Sequence, residues 1–191
     1  MRIAFGLKAR TGKAVLVALG GTPREPEFIE RVWFKTLPEG AFAPYHVAEE
    51  LPPGQQDASV QRDVRVAHTL AEAGVRAALQ RAAAGGHKVA GCGVLVGTGM
   101  PGWSTAEIIS VHVRMHKAEG ELFRNVLVAA ARACQLRLTT LPEKAAHDAA
   151  ARALRLTRAQ LDARIARLGK QAGSPWTAHE KQAAAAALVA L

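Results

Sequence analysis

Met1-Arg-Ile-Ala-Phe-Gly-Leu-Lys-Ala-Arg-Thr-Gly-Lys-Ala-Val-Leu-Val-Ala-Leu-Gly20 opens the chain as two apolar runs, Ile3 to Leu7 and Ala14 to Leu19, either side of a short basic turn. The turn carries Lys8, Arg10, Thr11, Gly12 and Lys13, and the pattern predicts a β-hairpin. Neither run alternates apolar with polar residues. Both faces of these strands are therefore expected to be covered, which calls for helices on each side of a sheet.

The rest of the chain supplies them. Gly20 to Pro26 is turn chemistry, and Phe28 to Thr36, rich in aromatic and β-branched residues, predicts a third strand. Leu37 to Gln55 holds Pro38, Gly40, Pro44, Pro52, Pro53 and Gly54 and reads as a surface loop, with Tyr45 and His46 packed beneath it. Val60, Val64, Ala67, Ala71, Val75, Ala78 and Leu79 recur at helical spacing, predicting a helix from Asp57 to Ala84 that stops at Gly85-Gly86. His87 to Val96 predicts a buried fourth strand, parallel to an earlier one because a helix separates them.

Ser104 with Glu107 forms a capping box, stapled by Trp103 and Ile108, for a helix expected to run to about Ala133. Leu136 to Leu141 predicts a fifth strand. Two helices are expected to close the chain, one capped by Thr157 with Gln160 and one by Thr177 with Glu180. The expected fold is α/β, with a mixed five-stranded sheet of three antiparallel strands then two parallel ones and helices on both faces. A length of 191 residues suits one domain, 1–191.

Composition narrows the partners. Lys and Arg number 25 against 16 Asp and Glu, a net charge of +9 that favours a polyanion. Cys92 and Cys134 lack metal-site or disulfide spacing and read as small buried hydrophobes. Lys8, Arg10 and Lys13 interrupt any signal-like apolar block, and the long uncharged run from Val89 is broken by glycines and Pro101. Neither a leader nor a membrane span is expected, and the cytoplasm is the expected compartment.

The element order is that of the ribonuclease H-like superfamily, and Gly6-Leu-Lys-Ala-Arg-Thr-Gly-Lys-Ala-Val15 resembles the first hairpin of RuvC-type Holliday-junction resolvases. Thr157 to Leu168 is similar to that family's Lys/Arg-x-Gln-Val helix, and the Pro-containing turn and Ala/Leu helix after it match in layout. The resemblance implies two divalent cations, Mg²⁺ or Mn²⁺, held by carboxylates on the first strand, the fourth strand and the last helix. Hard cations that clamp attacking and leaving oxygens need such oxygen donors. Here the first-strand position falls on or beside Lys8, the fourth strand has no carboxylate, and the last helix offers only Glu180, which its capping box employs. The catalytic carboxylates are thus missing from the matching positions.

The expectation is a nucleic-acid-binding protein of RuvC-like fold that lacks nuclease activity and needs no cofactor. Structured or duplex nucleic acid, DNA before RNA, is the expected partner, and a homodimer is in keeping with the resemblance. Lys8, Arg10, Thr11 and Lys13 are the candidate phosphate contacts, flanked by Arg164 and Arg167. Trp103 is expected to pack rather than stack on a base. His112, His116 and Glu119 share one helix face and form the alternative, a relocated metal site for a metal-dependent nuclease. A non-catalytic interaction scaffold on the same fold is the third reading.

Overall fold

A computed structural model describes residues Met1–Leu191. Strands β1 (Arg2–Arg10), β2 (Lys13–Gly21) and β3 (Pro26–Lys35) form an antiparallel meander. Strands β4 (Lys88–Val96) and β5 (Leu138–Pro142) add in parallel beside β1, giving the sheet order β3-β2-β1-β4-β5. The hairpin and the mixed five-stranded sheet are as the sequence predicts.

The absence of alternation in β1 and β2 is explained by burial on both sides. Phe5, Leu7, Leu16, Cys92 and Val94 face helices α2 (Pro53–Ala84) and α4 (His112–Ala133). Val15, Val17, Leu19, Leu95 and Leu141 face helices α5 (Ala146–Ala153), α6 (Arg158–Ala172) and α7 (Ala178–Ala190). The apolar spacing read in α2 is the face it buries, with Val60, Ala67, Ala71, Val75 and Ala78 inside.

Helix α7 packs unusually close to the sheet. Gly6 of β1 and Gly93 of β4 are register partners, and a Cβ built on them would lie 1.9 Å from the carbonyl oxygen of Ala183 and 2.1 Å from that of Ala186. The alanine run Ala183–Ala187 meets the strands with its backbone because neither surface has a side chain larger than a methyl group at the contact.

Three expectations are corrected. The loop from Leu37 to Gln55 contains a short helix, α1 (Pro44–Glu49), because Pro44 at its first turn has no amide to leave unsatisfied. The helix opened by Ser104 ends early: α3 (Thr105–Ile109) stops at Ser110, Val111 is extended, and α4 restarts at His112. The closing segment has three helices, since α5 was hidden by a buried face made of alanine, which gives little apolar contrast. All three capping boxes form, at Ser104, Thr157 and Thr177. No helix is long and apolar enough to cross a membrane.

The close contact gives a test. Gly6→Ala and Gly93→Ala each lower stability by about 3 kcal/mol or more, because α7 must retreat from the sheet to admit the added methyl group. Gly54→Ala, whose methyl meets open space, should leave the chemical-denaturation midpoint nearly unchanged. A native-like midpoint for Gly93→Ala would show that α7 does not sit this close.

Candidate functional site

Strands β1, β4 and β5 run the same way, so their carboxyl ends lie together and bring Lys8, Gly97 and Glu143 to one end of the sheet. A cleft opens there. Its walls are Lys117, Gly120, Glu121 and Arg124 of α4, the β1–β2 turn with Arg10 and Thr11, and His179 at the start of α7.

Inside the cleft each carboxylate is matched by a cation. Lys8, only 6% exposed, donates from Nζ to Glu143 Oε1 at 2.6 Å and to the Ala9 carbonyl at 2.9 Å. Arg124 Nε donates to the other oxygen of Glu143, and Arg124 Nη1 lies 3.5 Å from Glu121 Oε1. Burial opposes the charge on Glu143, but the hydrogen bonds and charges of Arg124 and Lys8 outweigh it and hold its pKa below the ordinary 4.5. Glu121 is wedged against the loop after β4, where a Cβ on Gly97 would lie 2.0 Å from its Oε1. Burial, then the charges of Lys8 and Arg10, push the His179 pKa down, so its imidazole stays neutral near pH 7.

Several expected contacts are relocated. Lys8 is not free for phosphate, because a buried ammonium needs its carboxylate and that bond is made. Arg10, Thr11 and Lys13 are exposed at the hairpin tip, where Gly12 takes φ +69° and its carbonyl accepts from the amides of Thr36 and Leu37. Arg164 donates to the carbonyl of Pro23, in the turn between β2 and β3. That turn lies at the opposite end of the hairpin, about 25 Å away at the usual strand rise, so Arg164 does not flank the tip. Arg167, three residues on, is exposed and remains apart from Arg10.

Glu180 is 1% exposed and accepts from the Thr177 amide and from Trp33 Nε1 at 3.0 Å. Its helix-capping role is as read. Burial opposes its ionisation and these bonds more than offset it, lowering its pKa. Trp103 packs with Ile108 and Met115, and Arg114 and Lys117 stand over its ring at 4.8 and 5.7 Å. His112 and His116 do come together, but their third neighbour is His46 and not Glu119. Glu119 instead accepts from His46 Nδ1 at 2.8 Å. Glu143 and Glu121 have no special standing when the sequence is read alone. A Pro-Glu pair directly after a predicted parallel strand was the one signal that could have found Glu143.

No family model matches the chain, and no curated protein matches it in sequence. Among solved structures it is similar to T. thermophilus RuvC in complex with Holliday junction substrate, with a TM-score of 0.54 and 11% identity over 98% of this chain and 91% of that one. It is also similar to a Thermus thermophilus RuvC structure, with a TM-score of 0.51 and 12% identity over 98% and 92% of the two chains. The fold is the ribonuclease H-like architecture of the RuvC resolvases.

The donor set in the cleft does not fit the pair of divalent ions that this fold implies. Two carboxylates are present, and both oxygens of Glu143 already face a fixed cation. A Mg²⁺ ion would have to approach Lys8 and Arg124 at contact distance, in a site with too few oxygens to compensate.

Removing one member of this network tests it. Glu143→Gln strands the Lys8 ammonium and should cost about 2–4 kcal/mol. Adding Lys8→Met should recover part of that loss, which urea unfolding of the single and double variants would measure. Because the pKa of Glu143 is depressed on folding, its contribution is present above pH 4.5 and lost as the pH falls below it. The stability of Glu143→Gln should therefore decline less steeply than that of the native chain between pH 5 and 3; parallel curves would refute the assignment.

Proposed function

We propose that this chain binds structured or duplex nucleic acid, DNA in the first instance, at the open end of its sheet and does not hydrolyse it. The supporting observation is the sorting of charge at the cleft. Arg10, Lys13, Lys117 and Lys144 are exposed on or beside its rim, while Glu121 and Glu143 inside it are matched by Arg124 and Lys8. None of the four rim cations takes part in a salt bridge. They are free to replace the counterions of a phosphate backbone, which is the usual source of sequence-independent affinity.

The fold supports the same reading by analogy, and one of the similar structures holds a Holliday junction, which makes a four-way junction the first ligand to try. Two of the rim cations stand over tryptophan rings, Lys13 over Trp33 at 5.1 Å and Lys117 over Trp103 at 5.7 Å, so single-stranded DNA belongs among the ligands compared. One observation favours a second reading, a nuclease with a relocated metal site. His112 and His116 come together with His46, and His116 lines the cleft.

Binding to labelled four-way junction, duplex and single-stranded DNA over a salt series, with and without Mn²⁺, separates the two. Affinity should fall steeply with salt, and no cuts should appear. Arg10→Glu with Lys13→Glu should weaken binding at least tenfold near 50 mM salt and flatten the log–log salt slope by about 2. Unchanged affinity would remove the hairpin tip from the interface, and Mn²⁺-dependent cleavage would replace this reading with the second.

A further inference from the structure

Away from the acidic centre of the cleft, three imidazoles converge. His46 comes from α1, and His112 and His116 come from the first turns of α4. One ring nitrogen from each lies within 4.8 Å of the others, and the Nε2 atoms of His112 and His116 are 3.0 Å apart. The ring centroids of the three pairs are separated by 4.5, 4.8 and 5.2 Å.

A tetrahedral zinc ion with nitrogen ligands at about 2.0–2.1 Å holds those nitrogens roughly 3.3 Å from one another. The helical pair already approaches that spacing. Closing half-buried His46 onto it takes a small movement of a side chain on a short helix.

Glu119 supplies a second, independent observation. It is 4% exposed, and its Oε1 accepts from His46 Nδ1 at 2.8 Å and from the amides of Tyr45 and His46 at 3.2 and 3.3 Å. A carboxylate only accepts, so His46 Nδ1 carries the hydrogen, and in the neutral ring Nε2 is the atom that offers a lone pair to a ligand. A histidine held by a buried carboxylate on one nitrogen, with two further imidazoles beside its ring, is an arrangement that can orient and strengthen a metal ligand.

We propose that His46, His112 and His116 form a three-imidazole site for a divalent transition metal of the Zn²⁺ class, with Glu119 as the positioning residue for His46. Imidazole nitrogens select Zn²⁺, Ni²⁺, Cu²⁺ or Fe²⁺ over Mg²⁺ and Ca²⁺, so this site is chemically distinct from the carboxylate pair site that the fold implies. His112 and His116 are exposed, which leaves a fourth position open to water or another oxygen donor. His116 also lines the cleft, on the side of Lys117 and Thr98. A bound ion would therefore fasten α1 to α4 at the rim of the proposed nucleic-acid surface, although the site does not depend on that surface binding anything.

The test uses the full chain stripped with a chelator, titrated with Zn²⁺ against a chromophoric competitor and with Co²⁺ followed by its visible spectrum. One ion per chain and the intense d–d bands of tetrahedral Co²⁺ are expected. His46→Ala and His116→Ala should each weaken Zn²⁺ at least tenfold, and Glu119→Gln should weaken it 10–100-fold. His68→Ala and His147→Ala, which alter histidines elsewhere on the chain, should bind as the native chain does. Zn²⁺ should raise the melting temperature of the native chain but not of His46→Ala. If His46→Ala binds Zn²⁺ as tightly as the native chain, the pair on α4 is only a helix-surface chelate and the proposal falls; absence of stoichiometric binding at micromolar Zn²⁺ overturns it as well.

Discussion

The contact between α7 and the two central strands sets the terms for the rest of this molecule. Ala183 and Ala186 place backbone carbonyls where Gly6 and Gly93 would otherwise carry side chains. Backbone-to-backbone packing of this kind tolerates little sliding, because the groups in contact are rigid. It fixes where α7 begins, and so places His179 and Glu180 beside the carboxyl ends of the strands. It also leaves β1 free to be apolar along most of its length and to change character at Lys8, where the helix has run out.

At that end the fold gathers charge, as open α/β sheets do. Here two glutamates are matched by a lysine and an arginine. The pairing is chemically consistent: a buried acid needs a positive partner, and a tethered ammonium or guanidinium provides one with its own hydrogen bonds. Charge left over faces outward, on Arg10, Lys13, Lys117 and Lys144.

Most of the fold was legible in the sequence because its signals are local. Two-sided burial of β1 and β2 showed as unbroken apolar runs, and the three capping boxes each fixed a helix start to the residue. The break at Ser110-Val111 and helix α5 were not legible, since one interrupts an otherwise continuous helical pattern and the other buries only alanine. The site was harder, because its partners are far apart in the chain. Lys8 meets Glu143 across 135 positions and His46 meets Glu119 across 73, so no spacing rule joins them. The i, i+4 pair His112 and His116 was visible for the opposite reason, and its true third member came from a loop whose prolines concealed a helix.

The bond from Lys8 to Glu143 has one more implication. A cleft whose acids are neutralised by metal ions changes shape and charge with the ion supply, and falls apart electrostatically in a chelator. Here the positive partners of Glu143 are side chains of the same polypeptide, tethered beside it at a fixed ratio. The bond from Lys8 lies across the floor of the cleft and fastens β1 to the residue that follows the short edge strand β5, joining the centre of the sheet to its edge although the two strands are not paired with each other.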